Sequence, residues 1–200
     1  MYKRPFERVL QKFSQESDWV CASFSDLNAQ PAWKHSDFAR EMALIRLHDA
    51  WARFCREVIV VSAYGKVVTL GGMRLDTSLP SIKSRSDVIP VLVALNSGRF
   101  PKWFAAGDCI RAANQLKIEN LNTVINAIGA SNSPADLLRE VRNFYVHRGK
   151  GTAALACVAH PFTGRRKPDI RQLNDFVAGG KTVLESWSML LVAIATAAVQ

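Results

Sequence analysis

The fold of this chain depends first on the stretch "SDFAREMALIRLHDAWARFCREVIVVSAYG", residues 36–65. Its large apolar side chains recur every three or four residues between Leu44 and Val58, as they do on one face of an α-helix. Ser36 is suited to cap the beginning of this helix, and Gly65 is suited to end it. A helix of roughly 27 residues would extend about 40 Å. We therefore expect one long helix that forms the backbone of the fold.

Apolar spacing typical of α-helices also occurs in other parts of the chain. The further predicted segments are 5–29, 102–116, 121–128, 133–149 and 182–200. Residues 66–100 instead mix glycine, proline and serine with short apolar runs, which predicts a long irregular connection with a strand or short helix near Pro90–Leu95. We interpret residues 149–168 as a loop, and we expect a bent or broken helical end at Gly179–Gly180. The predicted class is all-α, a bundle of about five to six helices.

Length and composition favour one folded domain over residues 1–200, in which residues 1–35 form an N-terminal helical extension. The hydrophobic fraction of 48% and the charged fraction of 22% are ordinary for a folded protein, which argues against wholesale disorder. The formal net charge is +9. Such an excess favours a polyanionic partner, either nucleic acid or an anionic membrane surface.

The same sequence predicts a cytoplasmic chain without a membrane span. Its N-terminus, "MYKRPFERVL", lacks the apolar core of a secretory signal. In the C-terminal segment the longest strictly apolar run is Met189–Ala195, and spanning a bilayer needs about 20 apolar residues. The four cysteines show no CxxC or Cys/His ligand spacing, so we expect reduced buried thiols and no structural metal.

The stretch "EVRNFYVHRGKG", residues 140–151, contains the candidate catalytic residues. On a helix, Asn143 and His147 share a face because they are four residues apart, whereas Arg142 lies about 140° around the axis from His147. One helix therefore makes an incomplete site. Two copies related by a two-fold axis would bring two arginines and two histidines together, so we expect a homodimer.

These residue types suit RNA cleavage without a metal. His147 could accept a proton from a ribose 2′-hydroxyl or donate one to the leaving 5′-oxygen. Arg142 could stabilise charge on the phosphoryl oxygens, and Asn143 could orient the histidine or contact the phosphate. The motif is not accompanied by the Asp/Glu cluster that binds two magnesium ions. We therefore predict catalytic roles for all three residues, with no metal or cofactor.

Positive charge is concentrated at the motif and just after it. Residues 142–171 contain seven lysines and arginines but one acid, which accounts for +6 of the net charge. The candidate RNA contacts are Arg148, Lys150, Arg165, Arg166 and Lys167. The alternative interpretation is that the first two are ordinary helix-end cations and the other three a solvated charge run.

Two further residues are candidate accessory groups. His48 lies within the apolar stripe of the long helix, where a core histidine is the alternative to a catalytic one. Tyr145 lies on the motif helix, where packing is the alternative to stacking on a base. His160 precedes a proline in the predicted loop, and there we favour a structural role.

The motif Arg142-Asn143-x-x-x-His147, late in a capped helix of an all-α protein, resembles the Arg-x4–6-His signature of the HEPN superfamily (higher eukaryotes and prokaryotes nucleotide-binding). Its ribonucleases commonly have asparagine directly after the arginine. The order of elements over residues 36–200 is also similar to that of prokaryotic HEPN families in toxin–antitoxin and phage-defence systems. There a long helix with a Trp-x-x-Phe element, here Trp51 to Phe54, precedes a short helix like "NLNTVINAIG" and then the motif helix.

The resemblance implies a dimeric, metal-independent endoribonuclease that leaves a 2′,3′-cyclic phosphate and acts with an antitoxin or a defence-system partner. One position departs from the pattern: many members have an acid directly after the tryptophan, where this chain has Ala52. The superfamily also contains inactive members, so a dimeric adaptor that binds RNA, a nucleotide or a protein is the alternative. A basic helical DNA-binding protein is less favoured, because the apolar stripe of the motif helix is committed to packing.

Overall fold

The computed structural model describes residues 5–29, 35–130, 133–158, 161–177 and 179–200, so the prediction for His160 lies outside the described residues. These ranges contain eight α-helices: α1 (Pro5–Ala29), α2 (Ser36–Tyr64), α3 (Val88–Leu95), α4 (Ala106–Leu116), α5 (Leu121–Ile128), α6 (Ala135–His147), α7 (Lys150–Ala156) and α8 (Val183–Ala198). The all-α class is confirmed. The number of helices exceeds the five to six predicted, since α3 and α7 are short helices with little periodic pattern.

Two antiparallel hairpins of two-residue strands accompany the helices. Strand β1 (Val67–Val68) pairs with β2 (Arg74–Leu75), and β3 (Phe176–Val177) pairs with β4 (Lys181–Thr182). Gly179 and Gly180, both at positive φ, lie between β3 and β4. The expected helical bend there is therefore wrong, because the two glycines lie in the connection of a hairpin.

The long helix is confirmed as α2, which has 29 residues and begins at Ser36 itself. Gly65 ends it at a φ of +69°, and its N–H donates to the carbonyl of Val61 at 3.1 Å. A Cβ at this position would lie 2.1 Å from the backbone of Asp76, a distance that real Cβ atoms do not reach. Glycine is thus required both by the backbone conformation and by the close approach of the next segment.

The connection over residues 66–100 is more ordered than predicted. It contains the first hairpin, a 3-10 turn (Arg85–Asp87) and α3, which confirms the short helix expected near Leu95. The carboxylate of Asp87 accepts the backbone N–H groups of Lys83 and Ser84 at 3.0 and 2.7 Å. Those contacts fix the entry into α3, and they lower the pKa of Asp87, chiefly through the contact with Ser84.

The loop predicted over residues 149–168 is partly wrong, because α7 occupies its first third. Arg148 adopts the left-handed conformation at a φ of +52° and ends α6, so Gly149 becomes the residue before α7 rather than the stop of α6. The alanine-rich sequence of α7 favours a helix, and α7 packs against α6. The helix predicted over 102–116 begins later, at Ala106, after a turn closed between Ala105 and Lys102.

The chain divides into two compact units. The first comprises residues 1–14, 51–133 and 192–200, and the second comprises residues 15–50 and 134–191. In the first unit Phe13 packs against Trp51 and Phe54, with ring centroids 5.6 and 5.2 Å apart. The predicted N-terminal extension therefore supplies core residues.

The second unit carries the motif helix α6 and has its own apolar core. Its buried side chains include Val20, Phe24, Leu44, Leu47, Leu138, Val141, Leu184, Trp187 and Leu191. The α8 residues in this list confirm that the C-terminal segment is a buried helix. No described helix combines the length and the apolar character that crossing a lipid bilayer would need.

Candidate functional site

Helix α6 presents Asn143 and His147 on the side opposite its core face, whereas Arg142 lies at the edge of that face. Leu138 and Val141 are fully or almost fully buried, whereas His147 is exposed and both Arg142 and Asn143 are half-buried. The helix follows Pro134, which occupies the N-cap position. The local pattern thus folds as a helix with its apolar stripe inward and with Asn143 and His147 outward.

Arg142 and Asn143 contact each other directly. Nη1 of Arg142 donates to Oδ1 of Asn143 at 3.4 Å, a long and weak hydrogen bond. Nε of Arg142 is buried and has no hydrogen-bond partner within the described residues. In that part of the chain neither side chain forms a hydrogen bond with His147. Asn143 therefore contacts Arg142. From the sequence alone, it could instead have oriented His147.

His147 is the last residue of α6. The left-handed Arg148 follows it, and the N–H of Arg148 donates to the carbonyl of Phe144 at 2.7 Å. The imidazole consequently lies in solvent at the C-terminal end of the helix. Within one chain this exposed imidazole and the Arg142–Asn143 pair remain separate groups.

His48 lies in the core of the second unit, with only 3% of its surface exposed. Its Nδ1 is 3.2 Å from Oδ1 of Asp49. Burial lowers the pKa of His48; the contact with Asp49 opposes this, and the charges of Arg142 and Arg139 on α6 lower the pKa further. His48 is therefore buried as a core histidine, and it lies near Arg139 and Arg142 of α6.

A cavity of about 540 Å³ borders the side of α6 that carries Phe144 and Tyr145. Within the second unit it is lined from α6 and the residue after it, from the first turns of α2, and from the segment after α7. The lining residues are Asp37, Glu41, Phe144, Tyr145, Arg148, Arg165, Lys167, Pro168, Asp169, Ile170, Arg171, Gln172 and Asp175.

Some of the predicted site residues line this cavity, whereas the others lie outside its lining. Three of the five candidate RNA-binding cations and the candidate accessory tyrosine line it: Arg148, Arg165, Lys167 and Tyr145. The other two cations and the catalytic candidates are not among its lining residues: Lys150, Arg166, Arg142, Asn143 and His147. The motif and the cavity thus use different faces of one helix.

Two of the cations in the cavity already have acidic partners. The guanidinium of Arg148 forms an ion pair with Glu41 and lies 5.1 Å from the ring centroid of Tyr145. Arg171 donates to both carboxylate oxygens of Asp169, at 3.0 and 2.7 Å, and this pairing lowers the pKa of Asp169. In each pair the carboxylate offsets the positive charge that the arginine brings to the cavity.

Two other cations, Arg165 and Lys167, are exposed at the cavity and form no ion pair within the described residues. Beside them lie two polar atoms that are buried and unpartnered in the same part of the chain, the hydroxyl of Tyr145 and Oε1 of Gln172. Tyr145 is only 7% exposed. Its burial raises the pKa of its hydroxyl, and the carboxylates of Glu41 and Asp169 raise it further, so the hydroxyl remains a hydrogen-bond donor.

No pattern in the sequence indicated the acidic half of this cavity. Asp37 and Glu41 belong to the first turns of α2, more than a hundred residues before Arg148, and only the fold brings them to the cations. Gln172 lies in a 3-10 helix (Ile170–Asn174) that carries no periodic pattern. A charge count over residues 142–171 therefore overstates the positive potential at this place.

Among the described residues, no three His, Cys, Asp or Glu side chains are grouped so that they could hold a metal ion. Comparison with known proteins adds no relative: no family model, curated protein or solved structure matches the chain.

Proposed function

We propose that this chain is a metal-independent endoribonuclease that acts as a homodimer with a composite site. The observation that carries the proposal is the position of Asn143 and His147 on the face of α6 opposite its buried side chains, with the half-buried Arg142 in contact with Asn143. The exposed imidazole is thereby available to a second copy and to RNA. A cellular role as a toxin or antiviral defence effector, restrained by a partner protein, rests on the resemblance to HEPN families.

The proposed reaction uses the two histidines of the dimer as acid and base. One His147 removes the proton of a 2′-hydroxyl, whose oxygen attacks the adjacent phosphorus. The other donates a proton to the departing 5′-oxygen, so the products are a 2′,3′-cyclic phosphate and a 5′-hydroxyl. Arg142 stabilises the charge on the phosphoryl oxygens, and Asn143 holds the guanidinium through their hydrogen bond.

Cleavage of labelled total tRNA and of an unstructured RNA in EDTA tests this proposal. We expect the wild type to cut, and both His147→Ala and Arg142→Ala to lose activity by about 100-fold or more, as removal of a general acid/base or a charge-stabilising group does. Arg111→Ala is the matched control, since Arg111 is 63% exposed on α4 in the other unit. Activity that survives in the His147 variant would remove that residue from the mechanism.

The alternative is an inactive adaptor of the same fold, and the specific feature that favours it is Ala52. Many members of the HEPN families that this chain resembles have an acid directly after the corresponding tryptophan, where this chain has alanine. The same assay separates the two functions, since an adaptor would bind the RNA and leave it intact.

A further inference from the structure

The cavity beside α6 has several features of a binding site, and they do not depend on the proposed ribonuclease activity. It has a volume of about 540 Å³, and its lining includes two cations and two buried polar groups that have no partner among the described residues. Small-molecule sites commonly enclose about 300–1,000 Å³ and combine an apolar lining with a few converging polar groups. The volume falls within that range, whereas the lining here is mainly charged and polar, which suits a charged ligand.

The unpartnered atoms indicate what the ligand must offer. A buried polar group without a hydrogen bond costs free energy, so most such groups in folded proteins have a partner. Oε1 of Gln172 can only accept, and it therefore requires an N–H or O–H from the ligand. The hydroxyl of Tyr145 stays protonated and can donate to a ligand oxygen or nitrogen. Buried Pro168 and Ile170 give the same cavity an apolar wall.

The charges indicate how much anion the cavity accepts. Of its four acids, Asp37 pairs with Arg40, Glu41 with Arg148, and Asp169 with Arg171. Arg165 and Lys167 remain, and together they match one dianionic phosphate group. A chain of phosphates would pass carboxylates that repel it, among them Asp175, which has no ion pair within the described residues. The cavity therefore suits one phosphate and disfavours a polyphosphate or a run of RNA backbone.

We infer that this cavity binds a small organic phosphate monoester that carries an N–H donor, with the phosphate on Arg165 and Lys167 and the donor on Gln172. Tyr145 donates to an oxygen or nitrogen of the organic part. Such a monoester exists both as a free mononucleotide and as the 5′-phosphorylated end of an RNA, and the recognition chemistry is common to the two.

Isothermal titration of the full chain with adenosine 5′-monophosphate tests the inference. We expect saturable binding that is about tenfold or more weaker for adenosine and for inorganic phosphate, because each lacks one of the two recognised groups. ATP should bind more weakly than the monophosphate, owing to the carboxylates. A dinucleotide with a 5′-phosphate, compared with its 5′-hydroxyl form, distinguishes an RNA end from a free nucleotide as the source.

Variants link the binding to the cavity. The double variant Arg165→Ala/Lys167→Ala should weaken monophosphate binding by about tenfold or more, and Gln172→Leu should reduce the preference for adenosine monophosphate over ribose 5-phosphate. Arg166→Ala is the matched control, since Arg166 stands between the two cations in sequence and is absent from the lining. All three cations are exposed, so these substitutions leave the core intact.

Three results would overturn the inference: no saturable binding of the monophosphate at millimolar concentration, tighter binding of ATP than of the monophosphate, or an equal loss in the Arg166 variant. The ribonuclease assay is a separate readout. A chain that binds the monophosphate without cutting RNA would refute the proposed function alone, and a chain that cuts RNA without such binding would refute the cavity inference alone.

Discussion

Arg148 forms an ion pair with Glu41, a residue 107 positions earlier in the chain. The side chain of Glu41 is only 12% exposed, whereas that of Arg148 is 53% exposed. A largely buried acid therefore forms an ion pair with a cation that the sequence predicts as an RNA contact. The pair lies beside the ring of Tyr145 and forms one wall of the cavity. The local positive potential is lower than the sequence indicates, and this has a measurable consequence.

Glu41→Gln should raise the affinity of the chain for RNA. The substitution keeps the shape of the side chain and releases Arg148 for a phosphate, which adds about one ion contact to the interface. The slope of log affinity against log salt should steepen by about 0.7 to 0.9. Fluorescence anisotropy with a labelled RNA at several KCl concentrations measures the affinity and this slope. An unchanged slope would show that Arg148 does not reach RNA even when its acidic partner is removed.

Mixed variants should reveal whether the proposed ribonuclease site is shared between two copies. A dimer of one wild-type chain and one His147→Ala chain keeps a single His147, so it lacks either the acid or the base of the proposed reaction. Mixing the wild type with His147→Ala should therefore lower the activity per wild-type chain. The measurement is the rate of RNA cleavage in EDTA before and after exchange of subunits, with dimer formation followed by light scattering.

Two outcomes would contradict the shared site. The first is a strictly monomeric wild type at micromolar concentration that still cuts RNA. The second is a mixed dimer of wild type and His147→Ala that forms without any loss of activity per wild-type chain.

Tyr145→Phe should leave the ligand-free protein as stable as the wild type, or more stable by up to about 1 kcal/mol. The hydroxyl is buried and unpartnered within the described residues, so its removal ends a desolvation cost and breaks no hydrogen bond seen there. The ring remains and keeps its contact with Phe144, at a centroid distance of 5.0 Å. Urea unfolding monitored by circular dichroism gives the free energy. A loss above about 1 kcal/mol would mean that the hydroxyl has a stabilising partner in solution.

The parts of this fold that follow from sequence are those set by local periodicity. Helices α1, α2 and α5 were predicted to within a residue because their apolar spacing, and the glycines that follow α2 and α5, act within a few turns. Helix α7 and the hairpin at β3 and β4 were missed, since elements of seven and two residues carry too little pattern and depend on contacts with distant segments. The motif could be predicted because its residues are close together in sequence. The cavity could not, because it forms only where Asp37 and Glu41 approach residues 144–175 in the fold.

His48 should make the stability of the protein depend on pH below neutrality. Burial lowers its folded-state pKa beneath the ordinary value of about 6.5, so the unfolded chain binds a proton more readily than the folded one. The contribution is therefore fully present above about pH 6.5 and is lost as the pH falls from there through the lowered folded pKa. We expect the urea midpoint to drop over this window in the wild type.

Replacing the buried imidazole by an amide removes the titration, so His48→Gln should be less stable at pH 7.5 but should lose less of its stability between pH 7.5 and 5. His147→Ala is the control for the loss of a histidine, since that residue is exposed at the end of α6 and lies outside the core. The difference between the two variants assigns the acid sensitivity to the group packed under the motif helix. Parallel profiles for wild type and His48→Gln would show instead that other groups govern the acid response.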